Sequence, residues 1–189
     1  MPFRTTVKTM QHLGRLLVAS PNQKDPFWAK TVVWLYEYNQ GNYAGLIINK
    51  PSPKNCGDLA QHHGIKWNTN VPLCIGGPMN PSALILQHTR DWRTPNTQSL
   101  DHSDLSLSSH KTMLHRLAQG DEPESWRLLL GYCGWAPGQL ERELSHPNGW
   151  LVADLDHELV WSHKRPETIW HQALDSATHS AVDKLFEIQ

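Results

Sequence analysis

From residue 131 to 144 the chain reads Gly131-Tyr132-Cys133-Gly134-Trp135-Ala136-Pro137-Gly138-Gln139-Leu140-Glu141-Arg142-Glu143-Leu144, a β-type run broken by glycines and followed by a helical pattern. A turn of this kind can converge free backbone N–H groups at the start of a helix, and such amides together with the helix dipole bind anions. Glycine punctuation accounts for the same residues without a ligand: Gly134 and Gly138 permit a tight turn while Trp135 packs into the core. Gly134, Trp135, Gly138 and Gln139 are therefore candidate ligand contacts, with turn packing as the competing account. Glu141 and Glu143 fall in the first turns of the expected helix, where acids serve the dipole. Cys133 lies inside an apolar strand with no base beside it in the pattern, which makes it a core thiol rather than a nucleophile.

A second polar corner is Asn49-Lys50-Pro51, an amide and an ammonium at the end of a strand beside a rigid turn. It can bind a ligand, or it can be an Asx-type turn with a solvated lysine. Glu37 on the neighbouring strand is expected near Lys50 if the two strands form a hairpin, as an acid beside a cation or as a cross-strand ion pair.

Other chemistry has no support in the spacing. There is no G-x-G-x-x-G, no Walker A loop, no G-x-S-x-G elbow and no H-E-x-x-H helix. His157-Glu158 with His163 has the wrong spacing for a zincin, and His110 and His115 are five apart rather than the four that would place two ligands on one helical face. No metal and no cofactor is expected, and the histidines read as exposed or hydrogen-bonded side chains. Cys56, Cys74 and Cys133 form no C-x-x-C pair, which fits a reduced compartment. The first nine residues lack the apolar core of a signal peptide and no apolar run is long enough to span a bilayer, so a cytoplasmic location away from the membrane is expected.

The elements that must position these groups are short and mixed. Gly14 to Ala19 reads as a buried strand, and Thr31 to Tyr38, rich in β-branched and aromatic residues, is the strongest strand signal. Asn39-Gln40-Gly41-Asn42 supplies a turn before Tyr43 to Asn49, which makes a β-hairpin. Asp58 to His63 reads as a helix stopped by Gly64, and Val71 to Ile75 and Ala83 to His88 read as strands around the Gly76-Gly77-Pro78 turn. One or two strands fall within Gln98 to Ser108. Ser109 is expected to cap a helix through Met113, Leu114 and Leu117 that ends at Gly120, and Trp126 to Cys133 is a buried strand. Pro137 and Pro166 are expected to open the last two helices. Without a regular βαβ rhythm, the pattern is α+β with a largely antiparallel sheet. The 189 residues show no linker or repeat and read as one domain, long enough to bury roughly 70% of the surface the unfolded chain exposes. A formal charge of −1 supplies no field for polyanions, although 12 histidines make the charge steeply dependent on pH near neutrality.

The ordered set of motifs resembles the YqgE/AlgH family of small bacterial proteins. Gly14-Arg15-Leu16-Leu17-Val18-Ala19-Ser20-Pro21 with Phe27, then Val32-Val33-Trp34-Leu35-Tyr36-Glu37, then Gly45-Leu46-Ile47-Ile48-Asn49-Lys50-Pro51, then Gly76-Gly77-Pro78 carry the likeness. The segment from Gly131 to Leu144, similar to a family pattern G-Y-x-G-W-x-x-G-Q-L-E-x-E, is its most specific part. The likeness covers residues 13 to about 175, and residues 177–189 depart from the pattern. It implies a complex α+β fold with a barrel-like or bifurcated sheet surrounded by helices. It supplies no catalytic residues, substrate or cofactor; the family name carries an association with transcriptional control of alginate production, which is association rather than site chemistry.

Two functions follow as expectations. The first is a binding or regulatory module that holds a small anionic ligand or a partner protein through Asn49, Lys50 and the turn of Gly134, Trp135, Gly138 and Gln139. The alternative is a small hydrolase or transferase with Glu37 or a histidine as acid-base group and Lys50 as electrostatic stabiliser, which requires Lys50, Glu37 and the Trp135 turn to line one pocket. Specific nucleic-acid binding is not expected, because the charge is balanced and no helix-turn-helix or basic stripe is visible.

Overall fold

Hydrophobic alternation and glycine turns build ten strands and five helices among the described residues. The computed structural model describes residues 11–186, with side chains through residue 181; residues 1–9, read as lacking a signal-peptide core, lie outside them, as does the end of the C-terminal segment. The chain forms two compact units, one of residues up to Asn49 together with those from Cys133 onward, the other of Lys50–Tyr132.

In the first unit, β1 (Leu16–Ala19) pairs antiparallel with β2 (Val32–Asn39) and with β10 (Trp150–Ala153), and β2 pairs with β3 (Asn42–Ile47). The expected hairpin forms. Gln40 and Gly41 at its tip both have positive φ, +49° and +89°, the backbone that a two-residue turn between twisted strands requires. Val32, Val33, Trp34 and Leu35 are all fully buried because β2 is covered on both faces, which is why they read as an unbroken apolar run. One face joins Leu17, Val33, Leu35, Tyr43, Cys133, Trp135, Leu140 and Trp150 in a core. Helix α5 (Pro166–Phe186) buries Ile169, Trp170, Ala173 and Ala177, spaced three and four apart as one helical face, and the Trp170 indole donates to the Ala19 carbonyl at 2.8 Å. α3 (Gln139–Leu144) and α4 (His157–Val160) complete the unit.

In the second unit, β4 (Pro51–Asn55) leads into α1 (Cys56–His62), whose Asn55 and Asp58 form a reciprocal capping box. β5 (Pro72–Ile75) runs parallel to β9, while β6 (Met79–Thr89) pairs antiparallel with β9 and β8 (Leu105–Ser108), and β8 with β7 (Gln98–Ser99). β9 (Trp126–Trp135) takes part in both pairings: Leu128–Leu130 face β5, and Cys133–Trp135 face β3. The sheet forks there, as the family resemblance implies. Gly131 marks the fork, with φ +70° and a missing Cβ that would stand 2.5 Å from the Gly77 carbonyl oxygen. Gly76-Gly77-Pro78 is thus not a hairpin tip; β5 and β6 do not pair with each other, and each lies along β9.

Several elements differ from the sequence reading. β4 carries two prolines, which depress strand propensity, and survives as a short strand paired only to β5. β10 and α4, of four residues each, are further elements that the sequence reading does not contain. Ser109 does not cap α2 (Met113–Ala118); Thr112 holds that position without a side-chain bond, and Ser109 accepts instead from Asn96 Nδ2 at 2.9 Å. α3 begins after Gly138 rather than at Pro137, because the left-handed φ of +73° at Gly138 breaks the helical path.

Candidate functional site

The turn after β9 is occupied by its own side chains. Trp135 is 4% exposed and its Nε1–H donates to Glu143 Oε2 at 2.9 Å; Trp150 Nε1–H donates to the same oxygen at 2.8 Å. Gln139 Nε2 donates to Glu143 Oε1 at 2.9 Å, while its Oε1 accepts from the Ala136 backbone N–H at 3.1 Å. Glu143 lies four residues after Gln139, one helical turn on, so the two side chains meet on one face. Gly149 completes the lock: a Cβ there would stand 1.8 Å from the Glu143 carbonyl oxygen. The dipole role read for Glu143 is therefore corrected. It stands near the end of α3, and its carboxylate is the acceptor for two buried indoles. Only Glu141 occupies the first turn. Gly134 and Gly138 are exposed, and a Cβ at Gly138 would meet nothing nearer than the mobile end of Arg142, at 3.3 Å.

Asn49 is 6% exposed and joins three backbone segments. Its Oδ1 accepts from Val32 N–H at 2.8 Å, and Nδ2 donates to the Lys30 and Pro166 carbonyls at 2.9 and 3.0 Å. Both amide hydrogens are committed to backbone. Lys50 is half-buried, and its carbonyl accepts from the Ile75 N–H at 2.8 Å. The expected approach of Glu37 to Lys50 does not occur: Glu37 pairs with Ala44 near the hairpin tip, beyond a bulge at Tyr36, whereas Lys50 follows the far end of the ladder at Ile47. The register instead sets Glu37, Ala44 and Gly134 in one row across three strands. Cys133 is 1% exposed, and burial raises its thiol pKa far above the ordinary value; burial likewise pushes the Cys56 thiol up to about 12. Burial raises the Cys74 thiol as well, against the pull of the Arg127 guanidinium beside it. All three are inert core thiols.

Uncommitted polar groups gather in the second unit. A cavity of about 320 Å³ has a floor of Ile65, Leu84, Met113 and Leu114 and a rim of His63, His110, Lys111 and His115 with Ser82 and Ser109. Thr112 holds the His110 ring through Nδ1, 2.7 Å from its Oγ1 and 3.3 Å from its backbone nitrogen, which leaves Nε2 for a ligand. Among the described residues, the side chains of Lys111 and His115 make no hydrogen bond or ion pair, and no residue lining the cavity is acidic. The sequence signal was present in the cluster Ser109-His110-Lys111 and in His115. Its spacing of five excludes a shared metal face, and no described group of three or more His, Cys, Asp or Glu could hold a metal.

A partly buried chain of hydrogen bonds in the same unit ends on a histidine. Thr94 N–H donates to Thr97 Oγ1 at 2.7 Å, and Thr97 Oγ1 lies 2.6 Å from Ser108 Oγ. Ser108 Oγ is 2.9 Å from His88 Nε2, and His88 Nδ1 lies 2.6 Å from the Thr89 carbonyl oxygen. A carbonyl only accepts, so Nδ1 carries the proton and Nε2 accepts from Ser108. His88 is fully buried, and burial holds its pKa below the ordinary imidazole value.

The α+β fold and the interlocked turn together define the class, and comparison with known proteins names the family. The AlgH-like family model (DUF179) matches residues 16–181, and the chain belongs to that family. A UPF0301 protein of Ruegeria pomeroyi is 34% identical over 170 residues, covering 87% of this chain and 91% of the relative. One from Vibrio cholerae is 32% identical over 174 residues, with 87% and 91% covered. Among solved structures, AlgH from Pseudomonas aeruginosa superposes with a TM-score of 0.72 at 29% identity, covering 92% of each chain. A Corynebacterium diphtheriae protein shares the fold at 20% identity, with a TM-score of 0.67 over 85% of this chain and 84% of its own. No helix among the described residues is long and apolar enough to cross a membrane.

Proposed function

We propose that the protein is a binding module for a small anionic ligand, taken up in the cavity rimmed by His63, His110, Lys111 and His115. The observation that carries this reading is the contrast in hydrogen bonding: Trp135, Gln139 and Asn49 are satisfied within the protein, while Lys111 and His115 are not and no acid neutralises them. Donors around an apolar floor are the usual make-up of a small-molecule site. An enzymatic role through Glu37 and Lys50 loses its support, since the register holds Glu37 at the tip of the hairpin and Lys50 beyond its other end.

Calorimetric titration with inorganic phosphate tests the reading. Charge-assisted hydrogen bonds contribute about 1.5 to 3 kcal/mol each, so two of them support a Kd on the order of 1 mM, which corresponds to about 4 kcal/mol. Lys111→Ala should weaken it severalfold with the melting temperature unchanged, because the side chain is exposed and unpaired. Absence of saturable binding, or binding indifferent to Lys111→Ala and His110→Ala alike, removes the proposal.

A further inference from the structure

A second cavity, of about 630 Å³, lies in the same unit, and the half-buried residue Ile65 lines both. Its composition is different. Gln61, Asn68 and Asn70 line it with exposed carboxamides that make no hydrogen bond within the described protein, and Asp58 and Lys66 contribute one charge of each sign. Trp67 lines it as well, half-buried and seated on Trp126 with ring centroids 6.0 Å apart. The wall is built closely: a Cβ on Gly57 would stand 2.6 Å from the Thr69 carbonyl oxygen, so glycine is what lets the 67–69 segment lie on the start of α1.

A carboxamide offers donors and an acceptor in one plane, and a hydroxyl group both donates and accepts, so several carboxamides beside an aromatic face suit a neutral polyhydroxylated group better than an ion. The neighbouring cavity offers the reverse, one lysine and three histidines with no carboxylate among its lining residues. From this pairing, and resting on the anion-site reading above, we infer that the ligand is a phosphorylated sugar. Its phosphate sits against His110 and Lys111, its ring packs over Ile65, and its hydroxyls reach Gln61, Asn68 and Asn70.

Titrations of the full chain with inorganic phosphate, ribose, ribose 5-phosphate and glucose 6-phosphate test this. At least one sugar phosphate should bind about tenfold or more tightly than inorganic phosphate, a gain worth two modest hydrogen bonds. The double variant Asn68→Ala, Asn70→Ala should return that affinity to the level of phosphate and leave phosphate binding itself unchanged; both residues are exposed, so the fold is not at stake. Lys111→Ala should weaken phosphate and sugar phosphate together. Phosphate binding with no gain from either sugar, or a gain that survives the double variant, overturns this inference alone. Failure of phosphate and both sugar phosphates to bind removes the anion site and this inference with it.

Discussion

Replacing Glu143 should reveal how much of the Trp135 turn rests on one carboxylate. In Glu143→Leu the indole N–H groups of Trp135 and Trp150, on residues 4% and 7% exposed, lose the oxygen that receives them at 2.9 and 2.8 Å. A buried donor left without an acceptor costs about 1 to 3 kcal/mol. Two such donors give about 2 to 6 kcal/mol, reduced by about 1 because leucine buries apolar surface where a carboxylate was desolvated. The expected loss is thus about 3 kcal/mol. With a urea slope of roughly 2 kcal/mol per molar, the midpoint should fall by about 1.5 M. Glu143→Gln behaves differently. Its carbonyl oxygen can replace Oε2 and keep both indoles, but its NH2 then faces Gln139 Nε2, and Gln139 cannot flip without losing the Ala136 N–H at 3.1 Å. That variant should lose about 1 kcal/mol, one net hydrogen bond. Adding Gln139→Glu should restore much of it, since a carboxylate at 139 accepts from both Ala136 N–H and the new amide. Urea unfolding followed by far-ultraviolet circular dichroism reads all three. A Glu143→Leu cost below about 1 kcal/mol, or equal costs for Leu and Gln, would refute the reasoning, because buried donors would then need no acceptor.

Asn49→Ala removes one acceptor and two donors among buried backbone groups and should cost about 2 to 4 kcal/mol in urea unfolding; phosphate affinity should not change, and a specific loss of binding at unchanged stability would return Asn49 to the ligand site. Gly131→Ala should cost at least about 2 kcal/mol, because left-handed backbone is combined with a contact of 2.5 Å to a carbonyl oxygen, whereas Gly138→Ala, strained in φ but facing only the end of Arg142, should cost about 1 kcal/mol. Equal melting-temperature shifts for the two would contradict that assignment. For His88, burial lowers the folded-state pKa, so as pH falls the unfolded chain takes up the proton first. The stability this histidine contributes is present above the ordinary imidazole value, about 6.5, and is lost as pH drops from there toward the folded value. Urea midpoints at pH 7.5 and 5.0 should therefore converge in His88→Gln relative to the unaltered protein, and an unchanged difference would show that His88 is not responsible.

The sequence alone determined what depends on neighbours along the chain. β2 was legible because Val32 to Leu35 are apolar on both faces, the hairpin because Gln40-Gly41 suits positive φ, and the end of α1 because Gly64 stops it, whereas its start at Cys56, two residues before the expected Asp58, is set by the Asn55–Asp58 capping box. The ordered motifs were enough to place the chain in its family, and the apolar setting of Cys133 was enough to mark it as inert. Register was decided only by the tertiary structure. One bulge at Tyr36 and the length of the β2–β3 ladder put Glu37 and Lys50 at opposite ends of the hairpin, a separation that no residue pattern encodes. Partner choice belongs to the same level. Trp135 and Trp150 stand fifteen positions apart in sequence yet converge on Glu143, so an acid that looks like a dipole residue becomes a hydrogen-bond hub, and the turn that looked open to an anion is closed by its own side chains. His110, Lys111 and His115 form a cavity rim only because α2 and the segment after α1 meet over Met113 and Leu114, a juxtaposition set by long-range packing, which local spacing does not encode.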